Sequence, residues 1–175
     1  MRATGIVRRI DELGRVVIPK EIRRTMKIRE GEELEVFTGE DESLILKKYS
    51  AVKEFSSFAG EYVSSVYLST GYTALVFDMD SLVAASGDIK LYKTGSPVSY
   101  KFEKLLEDRK PILLTGRELV SLCGEEISGL GGMAIAPIIS AGDVMGALAV
   151  VSVKELGDVA LKLATIGANF LSTQL

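Results

Sequence analysis

The chain has 175 residues, 47% of them hydrophobic and 26% charged, with a formal net charge of −3. That is the composition of a globular protein with room for one domain or two small ones. There is no histidine, no tryptophan and a single cysteine, Cys123, which excludes a Ser-His-Asp or Cys-His nucleophilic site, a Cys/His zinc site and an intrachain disulfide. No apolar run follows the early charges Arg8 and Arg9. The most apolar stretch, 133–152, is broken by Pro137 and Gly142-Asp143. Neither a signal peptide nor a membrane helix is expected, and a cytoplasmic location is.

Residues 3–10 read as a strand with a polar end, followed by a turn at Glu12-Leu13-Gly14. The β-branched run 15–18 returns from that turn, predicting a hairpin or closely approaching strands. Pro19 has no N–H for a ladder but suits a first helical turn. A short helix over 20–26 is therefore expected, with Ile22 and Met26 on one face and Arg23, Arg24 and Lys27 on the other. Residues 33–38 and 43–48 alternate as two strands around Gly39-Glu40-Asp41, a second hairpin.

Charge is unevenly spread over this segment. Residues 1–29 hold nine cations against three anions, a net of +6, whereas residues 30–46 hold seven anions and no cation. The rest of the chain stands at −2. Such asymmetry marks a polyanion-binding surface, unless the opposite blocks pair within one small domain. Roughly fifty residues with one short helix, no disulfide and no metal make a marginal core. The apolar positions Ile6, Val16, Ile18, Ile22, Leu34, Val36, Leu44 and Ile45 need completion. A second copy is the simplest source, so an obligate dimer with a shared β core is expected.

Residues 3–48, above all the run Thr4-Gly5-Ile6-Val7-Arg8-Arg9-Ile10-Asp11-Glu12-Leu13-Gly14-Arg15-Val16-Val17-Ile18-Pro19-Lys20-Glu21-Ile22-Arg23-Arg24, resemble the AbrB-type DNA-binding domain of bacterial transition-state regulators. The resemblance implies a swapped-hairpin β-barrel dimer that meets double-stranded DNA through arginines beside the first two strands and on the short helix. It places that role on Arg8, Arg15, Arg23 and Arg24, with Arg9 and Lys20 as helpers. Guanidinium groups suit it, since they bind phosphate bidentately and also read guanine edges, and a dimer doubles the set. The competing use is structural, with Arg8 or Arg15 pairing with Asp11 or Glu12 to pin the turn. The acidic second hairpin is expected to face away from DNA. No base-reading code is visible, as befits recognition through shape and deformability.

Beyond residue 49 a second domain begins. Ser50 is a candidate cap for a connecting helix to about residue 69, ended by Gly71. Its stripe is Val52, Phe55, Phe58, Ala59, Tyr62, Val63, Val66 and Tyr67. Residues 73–78 and 81–86 are strands around Met79-Asp80. A helix over 97–108, capped by Ser96, turns Val98, Phe102, Leu105 and Leu106 inward. A short strand over 111–115 follows. Residues 133–140 and 144–152 form a long hairpin over Ala141-Gly142-Asp143, apolar on both faces as central strands are. A last helix from about Leu156 carries Val159, Ala160, Leu163, Ala164, Phe170 and Leu171.

This element order resembles a GAF domain, a sensory α/β fold on an antiparallel sheet whose first and last helices lie together and commonly dimerise. The fold class expected is α+β, with an AbrB-like barrel at 1–49 and a GAF-like domain at 50–175. Two dimer interfaces per chain would permit a tetramer. The whole chain resembles sporulation regulators of spore-forming bacteria. Residues 87–95 and the loop 116–132, with Cys123, Gly124, Glu125, Glu126 and Gly129-Leu130-Gly131-Gly132, are candidate linings for an effector pocket, or simply turns. The glycine run lacks the Lys-Ser/Thr of a P-loop. No cofactor and no metal are implied, the cofactor-binding residues are unknown, and scattered carboxylates suggest no catalysis. The expected function is transcriptional regulation by a DNA-binding dimer under a modulating GAF-like domain. The alternative is an antitoxin-like DNA binder whose second domain is a protein-interaction scaffold without a small-molecule ligand.

Overall fold

The computed structural model describes residues 5–54, 56–88, 91–124, 127 and 129–175. Residues 3 and 4 of the first expected strand, Phe55 of the helical stripe, and Glu125 and Glu126 of the glycine-rich loop lie outside them. The chain divides into two compact units, Met1–Tyr49 and Ser50–Leu175.

In the first unit the expected turn is present and the expected strands are not. The Asp11 N–H donates to the Arg15 carbonyl at 3.1 Å and the Gly14 N–H to the Asp11 carbonyl at 2.9 Å. Gly14, at φ +78°, supplies the left-handed residue that a three-residue hairpin loop requires. Neither 5–10 nor 15–18 forms a strand. A strand exists by the donors and acceptors of a neighbour, and among the described residues these two arms form no ladder beyond the turn. Pro19 then leads helix α1 (Lys20–Thr25), its carbonyl accepting the Arg23 N–H at 3.0 Å. The helix closes when the Lys27 and Ile28 N–H groups bond back to the Arg24 and Arg23 carbonyls, with Lys27 at φ +51°. Strands β1 (Leu34–Thr38) and β2 (Leu44–Lys48) pair antiparallel from Leu34↔Lys48 to Thr38↔Leu44. Of the unit's described residues only Pro19 is buried.

The second unit is a five-stranded antiparallel sheet between two layers. Its strands are β3 (Thr73–Asp78), β4 (Leu82–Ser86), β5 (Ile112–Thr115), β6 (Gly132–Ser140) and β7 (Asp143–Ser152), in the order β4-β3-β7-β6-β5. Helices α2 (Ala51–Glu54), α3 (Ser56–Thr70) and α5 (Asp158–Ser172) cover one face. Helix α4 (Tyr100–Leu106) and the loop segments cover the other. Alternation sorts the side chains. Ala74 and Val76 of β3 face the helices, while Leu75 and Phe77 face α4, where Phe77 meets Phe102 edge-on at 4.9 Å. The helix-side layer is rich in alanine (Ala59, Ala134, Ala136, Ala160, Ala164, Ala168), which lets helices approach the sheet closely.

Helix α4 starts later than its sequence suggests. Ser99, not Ser96, is the cap, accepting the Phe102 N–H at 3.1 Å. Residues 95–97 are used otherwise: Ser96 and Gly95 bond to Leu82 and Pro97 bridges Ser81, covering the start of edge strand β4. Asp78, 3% exposed at the end of β3, accepts the Ser50 hydroxyl at 2.8 Å and the N–H groups of Asp80 and Ser81. It thereby ties the first residue of the unit to the β3–β4 turn.

Candidate nucleic-acid interface

The six cations singled out by sequence all belong to the first unit and all reach solvent. Arg8, Arg9, Arg15, Lys20 and Arg24 are exposed and Arg23 is half-buried. Lys20, Arg23 and Arg24 stand at i, i+3 and i+4 on α1, hence on one face, where like charges repel each other until an anion arrives. Among the described residues no acid pairs with Arg8, Arg9, Lys20 or Arg24. The Arg23 Nε is buried without a hydrogen-bond partner.

Arg15 is the exception. Its Nε donates to Asp11 Oδ2 at 2.7 Å, so the structural use weighed from sequence is real for this residue. Asp11 Oδ1 accepts the backbone N–H groups of Leu13 and Arg15 at 3.0 and 2.8 Å. The Arg15 N–H and then its guanidinium hold the Asp11 carboxyl below the usual carboxylate range. Asp11 was not a candidate site residue by sequence; its spacing of three to Gly14 and four to Arg15 is the signal that would have found it. In the acidic segment Glu32 pairs with Lys48 at 2.8 Å, both half-buried, and its other carboxylate oxygen accepts the Arg29 N–H at 2.7 Å.

Solvent also reaches the unit's apolar side chains. Val7 is 90% exposed, Val17 72% and Leu44 69%, with Ile6, Ile10, Leu13, Val16 and Val36 also exposed.

In the second unit an open groove of about 770 Å³ lies between α3 and edge strand β4, lined by Ser56, Gly60, Ser64, Ala84, Ala85 and others. Thr94 is its one contribution from 87–95, and 116–132 contributes none. The loop-side face is filled by fully buried Phe77, Phe102, Leu122 and Met133, and Cys123 packs half-buried beside them. Among the described residues no cluster of acids and cysteine could hold a metal. Nor, among those residues, is any helix long and apolar enough to cross a membrane.

A family model described as "Stage V sporulation protein T C-terminal, transcription factor" matches residues 54–175. A curated relative, stage V sporulation protein T of Bacillus subtilis, is 41% identical over all of this chain and 99% of its own. The chain belongs to the stage V sporulation protein T family. Its first unit is AbrB-like: 49 residues are 61% identical to the transition state regulatory protein AbrB of Bacillus subtilis, covering 28% of this chain and 50% of that one. A model of the MazE bacterial antitoxin matches residues 7–54. The second unit has the GAF fold. The GAF domain of an Acinetobacter phosphoenolpyruvate-protein phosphotransferase superposes with a TM-score of 0.56 at 15% identity, covering 73% of this chain and 83% of that one. A free methionine-R-sulfoxide reductase from Thermoplasma acidophilum does so at 0.55 and 11%, covering 70% and 94%. Identities this low speak for fold alone. The fold class is thus α+β, an AbrB-like unit followed by a GAF-like one.

Proposed function

We propose that the chain is a DNA-binding transcriptional regulator of sporulation-type gene expression, cytoplasmic and not an enzyme. In this reading two copies interleave their 5–18 hairpins into one β-barrel. The dimer then holds double-stranded DNA through Arg8, Arg9, Arg15, Lys20, Arg23 and Arg24 of both chains. One observation carries it: the same small unit combines solvent-facing cations with an apolar hairpin that its own chain leaves uncovered. A second copy supplies both the missing ladder and the doubled charge.

The GAF-like unit modulates that grip. Its α3 and α5 present outward apolar residues to a second copy, giving a tetramer, and a signal that changes their packing changes the spacing of the paired barrels. A small-molecule effector is one such signal. Because packed side chains fill the loop-side face, the scaffold reading of this unit has support too. A thermal-shift screen of nucleotides and metabolites decides between them, a flat result favouring the scaffold.

The DNA assignment is tested by fluorescence anisotropy on duplex DNA across a salt series. A dimer neutralising about eight phosphates gives a slope of log K against log salt near −7. Arg23→Ala with Arg24→Ala flattens the slope and weakens binding severalfold or more. Wild-type affinity in that double variant would remove α1 from the interface.

A further inference from the structure

Within the DNA-binding reading, on which this inference rests, Arg15 differs from the other five cations. It alone among them carries an acid on its guanidinium within the described residues. The acid is held in place. Two backbone N–H groups anchor Asp11 Oδ1, and the turn they belong to is closed by the Asp11–Arg15 and Asp11–Gly14 backbone bonds. With Oδ1 pinned, Oδ2 has one direction left, and the Arg15 Nε takes it at 2.7 Å. Both groups are well exposed, 71% for the arginine side chain and 43% for the aspartate. An exposed pair of this kind contributes little to stability.

We propose that Asp11 is a positioning residue that turns Arg15 from a phosphate anchor into a base reader. Two physical consequences of the geometry support this. Engaging Nε occupies one edge of the guanidinium and leaves its terminal Nη1/Nη2 edge as the free donor pair. That pair has the spacing that guanine O6 and N7 accept. The carboxylate also cancels most of the arginine's charge as a distant phosphate feels it. The pair therefore adds little to counterion release, the sequence-independent part of affinity. What remains is directional hydrogen bonding. The neighbouring cations, without such a partner, supply the electrostatic hold. The carboxylate's depressed titration keeps the pair charged throughout the neutral range.

The test measures wild type and variants on two probes across salt: the duplex that wild type enriches most from a random-sequence pool, and poly(dA-dT), which has no O6/N7 acceptor pair. Asp11→Asn keeps an oxygen for the two backbone N–H groups but removes the charge. It should bind poly(dA-dT) more tightly, with a salt slope steeper by about 2 per dimer as one cation per chain is released. Its preference for the enriched duplex should fall roughly tenfold, the scale of one good bidentate base contact. Arg15→Lys is the second variant, and leaves the turn's backbone bonds untouched. It keeps the charge but not the paired donors, so it should lose preference without losing affinity for poly(dA-dT). If Asp11→Asn and Arg15→Lys weaken both probes by the same factor, or leave the preference unchanged, the proposal is overturned. If wild type binds neither probe, the DNA-binding reading itself fails.

Discussion

Gly167 of α5 faces Tyr62 of α3 and Leu148 of β7. A Cβ built there would stand 2.3 Å from Tyr62 Cε1 and 2.4 Å from Leu148 Cδ1. Tyr62 is fixed at that spot because its hydroxyl donates to the Leu163 carbonyl at 2.6 Å and its ring stacks on Phe170 at 6.3 Å. The ring cannot swing away without leaving a half-buried hydroxyl unpaired, and burial already pushes its phenol pKa up. Gly167→Ala should therefore destabilise the second unit by about 1–3 kcal/mol, the usual range for overpacking. Denaturant melts would show it, with part of the loss recovered when Tyr62→Leu supplies room. An unchanged midpoint would mean that α3 can shift freely on α5.

On α5 the outward residues repeat in a pattern of their own. Val159, Leu163, Ile166 and Phe170 are spaced four, three and four apart, and all but the half-buried Leu163 are exposed. That is the spacing of a helix–helix seam, running beside the alanine face that packs on the sheet. Ile166→Glu, 59% exposed in the wild type, should halve the mass seen by light scattering while leaving the unit's own melting within about 0.5 kcal/mol, as for a surface change. Persistence of the larger species would place the contact elsewhere.

These elements also show what the sequence reveals and what it withholds. Strands β3, β6 and β7 were legible because both their faces are covered, which writes an uninterrupted apolar run. The two faces of α5 were legible as a wide stripe, but not which half faces the sheet. The start of α4 was not, because Ser96 and Ser99 are equally good caps by local chemistry. What separates them is the pairing of Ser96 with Leu82 of β4 and of Pro97 with Ser81 just before it, fourteen and sixteen residues away in the chain. The strands of the first hairpin were over-read for a related reason. Their β-branched residues announce a ladder, and among the described residues the backbone of 5–10 and 15–18 forms none. At the site, charge segmentation marked the basic block and the family resemblance picked six of its nine cations, while sequence left open which arginine Asp11 or Glu12 would hold, a choice made by the turn geometry that aims the Asp11 carboxylate at Arg15.

At the scale of the molecule the two units are unequal in how they are held. Among the described residues every buried hydrophobic side chain lies at Ala51 or beyond, so the GAF-like unit has a two-sided core and the described part of the first unit has none of its own. If the first unit folds only by association, its stability follows mass action and the other unit's does not. A hundredfold rise in protein concentration then adds about 2.7 kcal/mol to the first transition. The measurement belongs in the Ile166→Glu background, where association through α5 no longer makes the second transition concentration-dependent. Calorimetry of that variant should show two transitions. The lower one should climb with concentration and climb further with duplex DNA, while the upper one stays fixed. Two transitions that both ignore concentration would mean that the first fifty residues fold alone, and would remove the physical basis for the interleaved dimer.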